Sequence, residues 1–283
     1  MIKIVYTDRD IFGRNTTEID VNFHTFSGGE EHVNLTPFTT EQTLICARLD
    51  SSAEIMRLFI VTDAIRRMGN KVINLYMPYI PYARQDRVCQ QGDAFSLKVF
   101  ANLINAQGYE NVYVSDAHST VATALIENVT EFPQSDYAWG LVHAADNLQK
   151  YNYIISPDAG ASKKSIEFSK RLNSLGWDTE VVQALKVRDP ATGNITKTEL
   201  LVDNLDGADC LIVDDICSGG MTFRLLAREL KAMGAGKIGL YITHGIFDYG
   251  VDVLFNDNID HIYTTDSFEQ KDSRVQIIHK FFS

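Results

Sequence analysis

The sequence is short of cysteine, proline and long apolar runs, and each shortage narrows the field. Four cysteines (Cys46, Cys89, Cys210 and Cys217) are scattered irregularly over 283 residues, with no CxxC pair. A zinc ribbon or thioredoxin-type motif therefore has no basis, and a reduced, cytoplasmic protein is the simplest expectation. The 6 prolines and 18 glycines form neither a collagen-like period nor a low-complexity linker. No apolar run approaches the roughly 18 residues that a membrane helix requires. The first residues, MIKIVYTDRD, lack the apolar core of a signal peptide. Basic residues are few as well: 26 Lys and Arg face 37 Asp and Glu, a net charge of −11. Nucleic acid and anionic membranes select a basic field, so neither is expected as a partner.

What is present is a globular composition, 45% hydrophobic and 22% charged, arranged in a strand-then-helix rhythm. Strands are expected at 2–6, 43–48, 72–77 and 112–116, then at 153–158, 180–185, 210–215 and 238–244. After the second strand, Ser51 and Glu54 can form a capping box. Ile55, Leu58, Phe59, Ile65 and Met68 follow at helical spacing, with Gly69 placed to end the helix. Further helices are expected at 94–107, 162–175 and 222–233. Apolar strands alternating with amphipathic helices mean α/β domains, each a mainly parallel sheet flanked by helices. The segment 129–150 breaks the rhythm, which gives a domain of 1–135 and a second of 136–283.

In such sheets ligands collect beyond the carboxyl ends of the strands. The segment LIVDDICSGGMT (211–222) is the clearest example. An apolar strand delivers Asp214 and Asp215, and Gly219-Gly220 makes a turn before Thr222 opens a helix. Glycines let backbone N–H groups converge on a phosphate, and the helix start adds positive potential. Carboxylates beside it suit sugar hydroxyls, so the whole reads as a sugar-phosphate cradle. An acidic strand end with a glycine turn and a Thr cap is the plainer alternative. Neither the Lys of a GxxxxGK[ST] loop nor the spacing of GxGxxG is present.

This segment resembles the PRPP-binding loop of the phosphoribosyltransferase fold, and the chain as a whole resembles the ribose-phosphate diphosphokinases. The matching segments run in order: FSGGE (26–30), PYARQDR (81–87), SDAHS (115–119), SPDAG (156–160), LKVR (185–188), the 211–222 loop and THGIF (243–247). The resemblance implies two phosphoribosyltransferase-like domains, the first carrying the ATP-side motifs, the second the catalytic loop and the ribose 5-phosphate loop. It implies an enzyme that moves diphosphate from ATP to the 1-hydroxyl of ribose 5-phosphate, releasing AMP. Phe26 would stack on adenine and Glu30 would accept from its amine. Arg84, Gln85, Asp86 and His118 would hold ATP, and Asp214, Asp215, Ser218, Gly219, Gly220 and Thr222 would hold ribose 5-phosphate. Mg²⁺ is the implied cofactor, met by His118 and Asp158, with Asp116 as a further candidate; scattered ligands suit an ion that keeps its waters. A homo-oligomer, dimer or higher, is also implied, with no hexamer assigned.

Lys186 and Arg188 carry the implied catalysis. They lead into VRDPATGNITKTE, whose composition suits a loop that closes over the transferring phosphates. Diphosphoryl transfer needs concentrated positive charge more than covalent chemistry.

The chain also departs from the family. Ser218 stands where the loop's third Asp is usual, and Gly219, Gly220 and Met221 replace its T-x-G. That removes an acceptor for the attacking hydroxyl's proton, and Ser218→Asp tests whether the loss limits the rate. Gly28 and Ala161 are further changes, residues 31–52 differ where the family builds a regulatory site, and the chain ends soon after VQIIHKF. Weakened ADP control is expected. Two other readings share these residues: a non-catalytic subunit that binds or regulates an active synthetase, and a PRPP-consuming phosphoribosyltransferase. The latter has no need of a first domain carrying FSGGE and YARQDR.

Overall fold

The computed structural model describes residues 1–6, 17–144, 150–188 and 195–279, and the side chains of 186–199 lie outside that description. The chain divides into two compact units between Phe132 and Pro133. Each is an α/β layer structure, and each is taken by itself.

The first unit contains β1 (Ile2–Tyr6), β2 (Thr17–Ile19), β3 (Val21–Thr25), β4 (Glu31–Leu35), β5 (Gln42–Ala47), β6 (Val72–Tyr76), β7 (Val112–Ser115) and β8 (Val129–Phe132). Its helices are α1 (Ser52–Arg67), α2 (Ser96–Asn105) and α3 (Thr120–Leu125). Six strands form one sheet in the order β2-β1-β5-β6-β7-β8. β5 to β8 run parallel, and β1 is antiparallel to both of its neighbours. The strands are apolar because helices cover them: Ile45 and Leu75 are fully buried beside Leu58, Val61 and Ile65 of α1. The start of α1 forms as the sequence requires, Ser51 Oγ accepting from the Glu54 N–H at 3.2 Å. The Glu54 carboxylate turns instead to Arg57, at 2.7 Å.

β3 and β4 are a separate antiparallel hairpin that the strand-helix rhythm does not reveal. Arg57 ties it to α1 through Glu31 (2.8 Å) and lies 5.1 Å from the centre of the Phe23 ring. The same guanidinium bond holds the Glu31 carboxyl below its usual range.

The second unit begins with a short 3-10 turn (Gln134–Tyr137) and α4 (Ala138–Ala144), inside the segment where the rhythm breaks. There follow β9 (Tyr153–Ser156), α5 (Ser162–Ser174), β10 (Glu180–Arg188), β11 (Ile195–Leu200), β12 (Cys210–Cys217), α6 (Met221–Ala232), β13 (Ile238–Gly245), α7 (Asp252–Phe255), β14 (His261–Thr265) and β15 (Val275–His279). The sheet order is β11-β10-β9-β12-β13-β14-β15. All pairs are parallel except β10 with β11. Phe168 of α5 stacks on Tyr241 of β13 at 4.8 Å, and Phe223, Leu226 and Leu230 of α6 are buried in a cluster with Cys210 and Ile212 of β12.

β9 stops at Ser156, two residues short of the expected end, and two strands run well past theirs. β10 continues through Lys186 to Arg188 because β11 supplies an antiparallel partner, Lys186 opposite Thr198. Residues 186–188 are therefore strand, where a loop was expected, and 189–194 lie outside the described residues. β12 likewise runs two residues beyond Asp215, since Ile216 and Cys217 pair with His244 and Gly245.

Candidate functional site

The parallel strands present their carboxyl ends in a row, and the polar motifs follow them. In the first unit, the turn after β6 carries Arg84, Gln85, Asp86 and Arg87. These residues line one cavity of about 360 Å³, together with His118 from the turn after β7. The Gln85 carbonyl accepts from Leu97 N at 3.3 Å, which fixes the turn against the start of α2. Asp86 is buried and accepts from Arg87 Nε at 2.9 Å. That bond, ahead of the opposing desolvation, keeps its carboxyl below the usual range, and the charge of His118 adds to the effect. Arg84 and His118 are exposed at the cavity. The arrangement offers a guanidinium fork, an amide and an imidazole to an anionic ligand.

Four of the expected ATP-side residues thus lie together, and two do not line this cavity. Phe26 and Glu30 form the β3–β4 turn, where Phe26 N donates to the Glu30 carbonyl at 2.9 Å. Phe26 is half exposed, its ring edge-on to His24 at 4.7 Å. An exposed aromatic at a hairpin tip is available to a flat ligand. Asp116, at the end of β7, is fully buried and takes φ 40, unlike the exposed His118.

In the second unit, successive residues of β12 face opposite sides of the sheet. Asp215 is buried on the α5 side, 3.7 Å from Lys164 Nζ. Asp214 continues the α6 side. Its backbone carbonyl accepts from Gln134 Nε2 at 2.8 Å, and its Oδ1 accepts from Asp215 N at 2.9 Å. The two carboxylates are adjacent in sequence but do not act as one parallel pair. Gly220 caps α6 at φ 75, and no side chain takes the cap position. A Cβ there would also lie 2.9 Å from Leu254 Cδ2. Phe223 N and Arg224 N donate to the Gly220 carbonyl at 3.1 Å, and the start of α6 follows directly on Ser218 and Gly219, which suits a phosphate. Met221, not Thr222, is the first helical residue.

Asp158 closes the turn after β9, its Oδ1 accepting from Ala161 N at 3.1 Å. Among the described residues no three metal-ligating side chains come together. Cys217 lies directly before the loop. Burial, then the charges of Asp214 and Asp248, push its thiol up to about 12, so it is no nucleophile near neutrality. The sequence reading missed two residues of this loop's surroundings, Gln134 and Asp248. Nothing at their own positions signals a role: Asp248 reaches the loop because β12 pairs with β13, and Gln134 reaches Asp214 from the 3-10 turn.

A family model described as the N-terminal domain of ribose phosphate pyrophosphokinase matches residues 13–108, and a phosphoribosyl transferase domain model matches residues 147–272. Fold and strand-end loops together define a two-domain α/β protein of the phosphoribosyltransferase class. The chain is 30% identical over 229 residues to the ribose-phosphate pyrophosphokinase of Hyphomonas neptunium, covering 78% of this chain and 70% of that one. It belongs to the ribose-phosphate pyrophosphokinase family. The Sulfurisphaera tokodaii relative of the same description is 26% identical over 92% of this chain and 88% of its own. A solved phosphoribosylpyrophosphate synthetase from Mycobacterium smegmatis superposes with TM-score 0.75, covering 92% of this chain and 86% of that one. At 19% identity that likeness speaks for the fold. No helix among the described residues is long and apolar enough to cross a membrane.

Proposed function

We propose that the protein transfers diphosphate from ATP to the 1-hydroxyl of ribose 5-phosphate, forming PRPP and AMP for nucleotide synthesis. The observation that carries this reading is the gathering of Arg84, Gln85, Asp86 and His118 in one cavity, within a chain that also keeps the Asp214–Thr222 cradle. A phosphoribosyltransferase that merely consumes PRPP needs only the cradle.

In this reading Arg84 grips phosphate oxygens, Gln85 bonds the nucleotide and Asp86 holds Arg87 in place. Phe26 and Glu30 meet the adenine. Gly219, Gly220 and the start of α6 take the 5-phosphate, while Asp214, Asp215 and Ser218 meet the hydroxyls of the sugar. Lys186 and Arg188 stabilise the charge of the transferring group. Mg²⁺ supplies charge neutralisation on the nucleotide phosphates, with His118, Asp158 and Asp116 as its candidate protein contacts. A homo-oligomer in the cytoplasm completes the reading, and light scattering on the purified protein measures the assembly.

The test is one reaction of protein, ribose 5-phosphate, ATP and Mg²⁺ followed by phosphorus NMR. AMP and PRPP rising in equal amounts is the expected result. ATP that stays intact for hours, while ribose 5-phosphate still binds, returns the protein to the class of non-catalytic binding subunits. Arg84→Ala is expected to raise the KM for ATP at least tenfold, since a bond to a charged group contributes roughly 1.5–3 kcal/mol. The KM for ribose 5-phosphate should stay near its wild-type value, and steady-state kinetics with each substrate varied separates the two.

A further inference from the structure

The ribose loop of this chain has Ser218 where its family usually has a carboxylate, yet a carboxylate is in contact with that serine. Ser218 Oγ donates to Asp248 Oδ2. Asp248 belongs to the turn after β13, thirty residues further along the chain. The contact is not a chance meeting of long side chains. β12 and β13 are adjacent parallel strands in register through Cys217 and Gly245. Beyond that point the backbone continues to pair: Ile246 N and Phe247 N donate to the Cys217 carbonyl at 2.9 and 3.0 Å, and Asp248 N donates to the Ser218 carbonyl at 3.1 Å. Phe247 takes φ 51 to make the turn. The Tyr249 ring then lies over the loop, 3.1 Å from where a Cβ on Gly219 would sit. Asp, with a short side chain, is held at the loop by its own main chain.

We infer that Ser218 and Asp248 together replace the loop carboxylate, Asp248 being the positioning residue that makes Ser218 an acceptor for the 1-hydroxyl of ribose 5-phosphate. This rests on the diphosphokinase reading above. A serine hydroxyl has one proton and two lone pairs. Alone, it can equally donate to the sugar hydroxyl or accept from it. Committing its proton to Asp248 leaves only lone pairs for the substrate, which is the polarity a carboxylate would have presented. In the transfer, the O1 lone pair forms the bond to the β-phosphorus, and the bond from that phosphorus to the AMP oxygen breaks with its electron pair left on AMP. The O1 proton passes to Ser218 Oγ as the Ser218 proton passes to Asp248. Asp248 is exposed and returns that proton to water.

The same geometry reverses the expectation for Ser218→Asp. With Asp248 in place, the new carboxylate would meet another at contact distance, and like charges that close oppose one another. Activity should fall, not rise. Moving the charge should restore it.

The experiment measures kcat, both KM values and thermal unfolding midpoints for wild type, Asp248→Asn, Ser218→Asp and the exchange Ser218→Asp with Asp248→Ser. Asp248→Asn keeps size but not charge, and it should lower kcat roughly 100-fold, the scale of a lost proton acceptor. The KM for ATP and the unfolding midpoint should stay near wild type. The exchange variant should recover to within about fivefold of wild type, because the pair acts as a unit. If Asp248→Asn turns over within about twofold of wild type, or the exchange variant stays as slow as Ser218→Asp, the inference is wrong. Wild type that makes no PRPP overturns the functional reading and this one with it. Wild-type turnover that is indifferent to Asp248 overturns this one alone.

Discussion

Lys186→Ala is expected to lower kcat about 1000-fold, the scale on which electrostatic stabilisation of a transition state is lost. Nucleotide affinity should change by no more than about threefold. The asymmetry follows from where the charge is needed. In the proposed function, bound ATP would already have counter-charges from Arg84, His118 and its Mg²⁺. The transferring diphosphoryl group gathers additional charge only as it leaves AMP, and in the proposed role the Lys186 ammonium would act on that state alone. Lys186 lies in β10 three residues past the last β10–β9 pair, Gln183 with Ser156, and opposite Thr198 of β11. Steady-state AMP release, paired with calorimetric binding of a non-transferable ATP analogue, measures both quantities. Lost nucleotide binding with turnover persisting would remove Lys186 from the reaction and place it in ground-state recognition.

Gly239→Ala is expected to destabilise the second unit by about 3 kcal/mol, at the upper end of ordinary overpacking costs. Gly239 lies in the fully buried β13, between Leu211 and His261 on the neighbouring strands. A Cβ built there would overlap the Tyr151 hydroxyl, 2.6 Å from Tyr151 Cζ and 2.8 Å from Leu211 Cδ1. Tyr151 cannot easily swing away, because its ring is buried and its hydroxyl is 3.2 Å from that of Tyr263. Burial holds the Tyr151 phenol well above its ordinary range, so the pair stays neutral and adapts little with pH. Thermal unfolding should show a midpoint lower by roughly 6–12 °C. In a Tyr151→Phe background the added cost of Gly239→Ala should shrink by about 1 kcal/mol, since one of the clashing atoms is gone. Equal cost in both backgrounds would mean that the ring is not the obstacle.

The parallel framework was legible because burial on both faces leaves largely apolar strands such as VINLY and CLIV, and because Ser51 marks a helix start. The β3–β4 hairpin was not: VNFHT and EHVNL do alternate, but each segment has only two apolar residues, and the strand-helix rhythm looks for largely apolar strands. β10 was cut short at Leu185 for a related reason: polar ITKTEL reads as loop until it is seen as the antiparallel partner that extends the strand. Within the site, a motif could place Arg84, Gln85, Asp86 and His118 one by one, but only the sheet shows that 84–86 and 118 share a cavity. Ser218 read as a deficit because a loop was being compared with a loop. Asp248 is legible only once β12 and β13 are known to be neighbours.

One feature of the cavity bears on how the protein can be handled. Of the four cysteines three are buried, and Cys89 alone is exposed, on the wall it shares with Arg84 and His118. A maleimide dye therefore has one accessible anchoring point on the wild-type chain, beside the proposed nucleotide. Occupancy could then be followed by fluorescence without engineering a label site.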